Sequence, residues 1–204
     1  MKPLFRCIFL VGAVLVVGCD DATDCKDCGG PPIPYLDTTS PENQIENIQR
    51  AYRNRDCQGY ALILAPGFIF NFQPIDANDI GTPFWTHDQD STGTCALLKS
   101  GEVSEIRINL IYSGRDTTIN FPGSPIDSLK IRVTTTDLQV DQTDGTTWVV
   151  TDQQDMYFRK GIETRGEDPT CWFLYEWDDL PTLRSPGTPQ DVRAMTWGRL
   201  KALY

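Results

Sequence analysis

The chain has 204 residues, enough for one domain of ordinary size with short additional segments. Its formal net charge of -10 at pH 7 disfavours a nucleic-acid partner, because a phosphate backbone is also negatively charged. We therefore expect no nucleic acid among its partners.

The N-terminal segment has the organisation of an export signal. Residues 1–6 are basic, and residues 7–17 form an apolar run that is too short to span a bilayer. The run leads into Gly18 and Cys19, an ending that resembles the lipobox of bacterial lipoproteins. The resemblance implies a lipoprotein signal peptide over residues 1–18 and a lipid attached to Cys19. The alternative is an ordinary cleavable leader with an incidental cysteine.

A lipid on Cys19 implies a location. The protein would be anchored to a membrane of the bacterial cell envelope, on its extracytoplasmic side. Loss of Lys2 and Arg6 with the leader would leave a mature charge of about -12. Asp20 resembles a retention signal for the inner membrane of enterobacteria, but that rule does not extend to all phyla. The choice between inner and outer membrane therefore stays open.

Residues 19–39 are acidic and rich in glycine and proline, which predicts a flexible tether after the lipidated cysteine. Cys25 and Cys28 lie within it, but no second Cys or His pair stands at ligand spacing, so we predict no metal site and no cofactor. Five cysteines follow Cys19, an odd number, and their disulfide pairing stays open: Cys25, Cys28, Cys57, Cys95 and Cys171.

Residues 40–204 are predicted to form a single domain that begins with two helices. Ser40 is a good N-cap, and the following helix carries an apolar stripe: Ile45, Ile48, Ala51 and Tyr52. Polar residues of the same helix, among them Gln44, Asn47 and Gln49, are expected to face water. Asp56 can cap a second helix that contains Tyr60. Three phenylalanines at strand spacing follow: Phe68, Phe70 and Phe72.

The middle of the chain contains the only histidine. Residues 73–85 are predicted to be a loop, and Thr86 with Gln89 has the pattern of a capping box that opens a helix ending near Lys99. His87 would occupy the first helical position, beside an exposed cap. A surface role is therefore favoured over a role as catalytic base or ligand.

The second half of the domain is predicted to be mainly strands. Between residues 129 and 142 the apolar period slips by one within residues 134–137, which indicates a β-bulge. A turn at Asp144 and Gly145 leads into a return strand over residues 146–159. Residues 171–177 are apolar on both faces, which predicts a central strand. Trp197 and Leu200 indicate a short C-terminal helix that packs on the sheet.

Two polar residues interrupt the apolar face of the return strand. Asp152 and Gln154 share that face with four apolar residues: Trp148, Val150, Met156 and Phe158. They could orient a ligand in a cavity, or they could mark a second bulge or a wet rim of the sheet. The second interpretation is favoured, because a buried carboxylate without a partner is costly.

The order of elements predicts an α+β fold with N-terminal helices packed on a strongly curved antiparallel sheet. The segments SPENQIENIQRAYRNRD, YALILAPGFIFNF and CWFLYEWDDL are similar to the nuclear transport factor 2-like superfamily, which includes polyketide-cyclase-like and ketosteroid-isomerase-like domains. The resemblance covers about residues 40–180. It implies a cone-like α+β barrel with a pocket between sheet and helices, and homodimers that form through the sheet face.

Two functions fit these features. The favoured one is a membrane-anchored lipoprotein with a non-enzymatic ligand-binding or structural domain, for which a small apolar molecule is the expected ligand. The alternative is an isomerase, dehydratase or hydrolase that acts on a small apolar substrate in the cone. No catalytic residue is assigned, and the residues proposed to line a pocket are Tyr60, His87, Asp152 and Gln154.

Overall fold

The computed structural model describes residues 35–116, 128–180 and 192–204. The predicted signal peptide, Cys19, and the pair Cys25 and Cys28 lie outside these residues. The described helices are α1 (Pro41–Asn54), α2 (Cys57–Ile63), α3 (Pro74–Ile80), α4 (His87–Lys99) and α5 (Trp197–Ala202). The described strands are β1 (Leu64–Asn71), β2 (Phe84–Thr86), β3 (Val103–Asp116), β4 (Ser128–Gln142), β5 (Thr147–Val150), β6 (Gln153–Lys160), β7 (Trp172–Leu180) and β8 (Val192–Ala194).

Eight strands of the described residues form one sheet, in the order β2-β1-β7-β6-β4-β5-β8, with β3 paired to β4. The α+β prediction is confirmed, and the central position predicted for residues 171–177 is confirmed by β7. The expectation of an antiparallel sheet is wrong in two places, because β1 runs parallel to β7 and β5 runs parallel to β8. In both pairs the strands are distant in the chain, so no hairpin sets their relative direction.

Strand β4 bends where the sequence predicted a bulge. Its first half pairs with β6, and its second half pairs with β5. Against β3, Thr135 lies opposite Ile111 and Val133 lies opposite Tyr112, which leaves Thr134 as the extra residue. The predicted bulge is therefore confirmed. The single return strand predicted over residues 146–159 is instead two strands, β5 and β6. Each pairs with a different half of β4, and the two halves run in different directions because the bulge bends the strand.

Helix α1 covers the sheet as its apolar stripe predicted. Ser40 accepts the N–H of Asn43, and all four stripe residues are fully buried. The expectation that Gln44, Asn47 and Gln49 face water is wrong, since all three are buried and bond to other segments. Gln44 donates to the carbonyl of Trp172 in β7, and the Gln49 side-chain oxygen accepts the N–H of Leu110 in β3 at 3.1 Å. These side chains thus connect α1 to the sheet.

A disulfide connects α2 to α4. Cys57 and Cys95 form it, with their Cα atoms 4.9 Å apart. The capping box predicted for α4 is confirmed at Thr86 and Gln89. The prediction of a loop between β1 and α4 is wrong in part, because this region contains α3 and β2. Pro74 stands at the start of α3, where its missing N–H costs nothing.

The described part of the chain before α1 already contacts the domain. Tyr35 donates its hydroxyl to the carboxylate of Asp56 at 2.7 Å, and Trp172 donates its backbone N–H to the carbonyl of Thr38 at 2.7 Å. Tyr35 and Thr38 belong to the segment predicted as a tether. Among the helices of the described residues, none combines the length and the apolar character that crossing a membrane requires.

Candidate functional site

Helix α5 fills the space between the sheet and the helices. Trp197, Leu200 and Lys201 are fully buried, which confirms the predicted packing of this helix on the sheet. The Trp197 ring lies 4.6 Å from that of Trp177, centroid to centroid, and its indole N–H donates to the Tyr52 hydroxyl at 3.0 Å. Gly198 allows this close approach, because a Cβ at that position would collide with the ring of Phe72.

Three fully buried polar side chains meet at the C-terminal end of α5, and we call them the lysine cluster: Tyr60, Asp90 and Lys201. The Lys201 ammonium donates to Asp90 Oδ1 at 2.6 Å and to the Tyr60 hydroxyl at 3.1 Å. The Tyr60 hydroxyl in turn donates to Asp90 Oδ2 at 2.6 Å. Each of the three groups is therefore bonded to the other two.

Aromatic rings surround the ammonium group of this cluster. Its nitrogen lies 4.2 Å from the ring centroid of Phe70, 4.7 Å from that of Trp177 and 5.5 Å from that of Tyr60. Burial lowers the pKa of Lys201, and the charge of Asp90 opposes that change. Burial, together with the charge of Asp90, raises the pKa of Tyr60 well above its usual value. Tyr60 therefore acts as a hydrogen-bond donor and not as a base.

A second group of buried polar side chains, the aspartate cluster, lies at the other end of α5: Asp76, Asp152, Gln154 and Asp179. Gln154 in β6 lies opposite Asp179 in β7 and donates to its Oδ1 at 2.8 Å. The other carboxylate oxygen of Asp179 accepts the backbone N–H of Gly198 at 3.0 Å. Asp76 accepts the hydroxyl of Thr196, which is the N-cap of α5. The cluster therefore holds the first turn of α5.

Asp179 titrates near neutrality. Burial raises its pKa to about 7, with the negative charges of Asp152 and Asp76 acting in the same direction. The hydrogen bonds from Gly198 and Gln154 oppose this change. A carboxyl group with such a pKa can both donate and accept a proton at pH 7, which is the property required of a general acid or base.

Three of the four residues proposed to line a pocket lie in this interior. Tyr60 belongs to the lysine cluster, and Asp152 and Gln154 belong to the aspartate cluster. Trp177 connects the two clusters, because its ring faces Lys201 and its indole N–H donates to Gln154 Oε1 at 2.7 Å.

The fourth proposed residue, His87, lies elsewhere. It is partly exposed at the start of α4, where its Nδ1 is 3.0 Å from a carboxylate oxygen of Asp88. The structure places it where the sequence argument expected it, beside an exposed helix start.

Sequence reasoning did not find Asp90, Asp179 or Lys201. A signal for Lys201 existed, because it follows Leu200 directly and stands one helical turn after Trp197 on the buried face of α5. A charged residue within an apolar stripe indicates a buried partner, since its burial alone would be costly. The identity of that partner depends on the fold and could not be read from the sequence.

Grooves on the surface of the described residues include one of about 530 Å³, lined in part by Trp85, Gly93, Tyr204 and the otherwise buried Lys201. Another, of about 440 Å³, is lined in part by Arg53 and Arg55. Across residues 35–116, 128–180 and 192–204, no group of three or more His, Cys, Asp or Glu side chains could hold a metal ion.

No protein-family model matches the chain, and comparison with curated proteins finds no significant match. Among solved structures, a candidate aromatic ring hydroxylase from Novosphingobium aromaticivorans superposes with a TM-score of 0.50 at 11% identity, covering 71% of this chain and 87% of that one.

Two further structures come from proteins described as NTF2-like. A candidate dehydratase from Streptomyces avermitilis has a TM-score of 0.49 at 11% identity, over 72% of this chain and 97% of that one. An NTF2-like superfamily protein from Salmonella enterica has a TM-score of 0.46 at 14% identity, over 72% of this chain and 92% of that one. At such identities the likeness concerns the fold alone, and this chain has an α+β fold similar to that of the hydroxylase structure.

Proposed function

We propose that the chain is a lipid-anchored protein of the bacterial cell envelope whose domain is a non-enzymatic binding or structural module. The observation that carries this proposal is the filled interior of the fold. Trp197 and Lys201 of α5 occupy the space between sheet and helices. The polar groups there bond to other groups of the same chain, as Lys201 does to Asp90.

Two independent features support the location in the envelope. The first is the Gly18–Cys19 ending of the apolar leader. The second is the disulfide between Cys57 and Cys95, since disulfides persist in oxidising compartments outside the cytoplasm. The homodimer through the sheet face, which the resemblance implies, stays a prediction.

The anchor is tested by the Cys19→Ser variant, expressed as the full chain. We expect it to lose the lipid and to accumulate as an unprocessed or released form, because the thiol is the site of acyl attachment. Membrane fractionation and metabolic labelling with a radioactive fatty acid measure both effects. Cys7→Ser, in the same leader, is the matched control and should be labelled like wild type. Labelling of Cys19→Ser at the wild-type level would refute the anchor.

A specific observation favours the second candidate, an enzyme of the isomerase, dehydratase or hydrolase type. Asp179 has a pKa raised to about 7 by burial and lies within bonding distance of Gln154. An acid or base that works at pH 7 has this property. The likeness to a candidate hydroxylase and a candidate dehydratase favours neither function, because it concerns the fold alone.

A thermal-shift screen of small apolar and amphiphilic compounds on the mature chain separates the two candidates. If the domain is a non-enzymatic module, any compound that stabilises wild type should also stabilise Asp179→Asn, and no compound should be chemically changed. A compound that stabilises wild type only, and that wild type but not Asp179→Asn converts to product, would establish the enzyme. Mass spectrometry of each stabilising compound after incubation supplies the second measurement.

A further inference from the structure

The surroundings of Lys201 match the chemistry that recognises an alkylammonium ion. Three ring centroids lie within 5.5 Å of its nitrogen, inside the distance of about 6 Å at which cation–π attraction is effective. The carboxylate of Asp90 accepts a hydrogen bond from the same nitrogen at 2.6 Å. Aromatic faces combined with one carboxylate are how proteins bind free ammonium ligands.

Four side chains surround the Lys201 ammonium, and we call them the cage: Tyr60, Phe70, Asp90 and Trp177. They come from four elements, none of which is α5. Phe70 is on β1, Trp177 on β7, Tyr60 on α2 and Asp90 on α4. Phe70 and Trp177 lie directly opposite each other in the paired strands β1 and β7. The disulfide joins α2 to α4. Both pairs of walls are thus held together independently of the lysine that lies between them.

The charge of Asp90 requires a cation in this place. Asp90 is fully buried, and a buried carboxylate without an opposite charge is strongly unfavourable. The cation is supplied by Lys201, which belongs to the short helix at the end of the chain. The cage and its occupant therefore come from different parts of the chain, as a binding site and its ligand do.

We propose that Tyr60, Phe70, Asp90 and Trp177 form an alkylammonium-binding site, which the chain's own Lys201 occupies as an internal ligand. A primary alkylammonium ion takes the same site when the lysine side chain is absent. This inference is independent of whether the domain is a structural module or an enzyme, because it concerns only the cage and its occupant.

The test is rescue of the Lys201→Ala variant of the mature chain by n-propylammonium, which replaces the three methylenes and the ammonium that the substitution removes. We expect the variant to melt below wild type. n-Propylammonium chloride should raise its melting temperature progressively with concentration, as a ligand of the native state does. Sodium chloride at equal ionic strength and neutral 1-propanol should have no comparable effect. Wild type should not respond, because its site is occupied.

Two further variants decide what the response means. Lys201→Met fills the space with an apolar side chain and should not respond to the amine. Lys201→Ala combined with Asp90→Asn removes the carboxylate and should also lose the response. If Lys201→Ala does not fold alone, its refolding yield with and without n-propylammonium measures the same binding.

The proposal is overturned by any of three results. The first is a response to 1-propanol as large as the response to the amine, which would indicate an apolar cavity without cation recognition. The second is a response to the amine that persists after Asp90→Asn. The third is no response of Lys201→Ala in either melting or refolding, which would leave Lys201 as an ion-pair partner only.

Discussion

The two buried polar clusters lie on either side of Trp177 and differ in their balance of charge. The lysine cluster pairs one cation with one carboxylate in direct contact. The aspartate cluster contains three carboxylates that are held by neutral donors such as the N–H of Gly198. Asp90 has the Lys201 ammonium in direct contact. Asp179 has no cation among its described hydrogen-bond partners, and burial raises its pKa to about 7.

Both clusters hold α5, but at opposite ends. Lys201, in its last turn, bonds to Asp90, while Thr196 and Gly198, at its start, bond to Asp76 and Asp179. The attachment at the end of α5 is a charge pair, and the attachment at its start depends on a carboxyl group that titrates near pH 7. The position of one short helix therefore depends on an ion pair at its end and on a titratable carboxyl group at its start.

The largest expected effect is that of unbalancing the lysine cluster. Lys201→Met keeps the apolar volume but leaves Asp90 buried without a cation, and we expect a loss of about 3–5 kcal/mol in the free energy of unfolding. Urea denaturation at pH 7 measures it. Adding Asp90→Leu to this variant removes both charges and should recover most of the loss, because a buried ion pair contributes little compared with apolar replacements. A loss below about 1 kcal/mol for Lys201→Met would contradict the interpretation.

The next largest effect is expected from the disulfide, which joins the helices that carry Tyr60 and Asp90 of the lysine cluster. Replacing Cys57 and Cys95 together by serine should lower the free energy of unfolding by about 2–4 kcal/mol, because the unfolded chain gains conformational entropy. The loss should be equal at pH 5 and pH 8. Reduction of wild type with dithiothreitol is the control and should reproduce it. A loss that appears only at one of the two pH values would mean that the disulfide also acts on the aspartate cluster.

Local rules predicted much of the fold but little of these clusters. The cap at Ser40, the capping box at Thr86 and the bulge at Thr134 follow from nearby residues, and all three were found. The parallel pairing of β1 with β7 could not be predicted, because it joins distant segments. The same holds for the lysine cluster, whose ion pair joins residues 111 positions apart. Tyr60, Asp152 and Gln154 were named as candidates from the faces on which they lie, but the favoured interpretation of Asp152 and Gln154 was a bulge or a wet rim, whereas both are buried. The charged partners of these residues were missed.

The aspartate cluster should make stability depend on pH. The pKa of Asp179 is about 7 in the folded protein and near the ordinary 3.8 in the unfolded chain, so between these values the folded state holds a proton that the unfolded state has released. The stability from this group is complete below about pH 4 and is lost as the pH rises through 7, with a slope of at most about 1.4 kcal/mol per pH unit. We expect a decrease of about 3 kcal/mol between pH 5 and pH 8, most of it below pH 7.

Asp179→Asn isolates this contribution, because an amide occupies the same volume and does not titrate. The variant should be more stable than wild type at pH 8 and should gain no such advantage at pH 5. Asp90→Asn, in the lysine cluster, is the matched control and should destabilise at both pH values. Urea denaturation of the three proteins across the range measures these differences. An Asp179→Asn variant with the pH dependence of wild type would show that another group titrates.

The smallest expected effect concerns the neighbour of Asp179. The negative charge of Asp152 contributes to the raised pKa of Asp179, so Asp152→Asn should lower that pKa and move the decrease in stability to lower pH. The total decrease should become smaller by about 1.4 kcal/mol for each unit by which that pKa falls, and part of it should remain because burial, the larger cause, is retained. Asp144→Asn, in the exposed turn between β4 and β5, is the control and should leave the midpoint in place. If Asp152→Asn left the midpoint unchanged while Asp179→Asn removed the pH dependence, burial would be the dominant cause of the raised pKa. The difference between the two clusters would then come from burial without a cation in direct contact and not from the additional carboxylates.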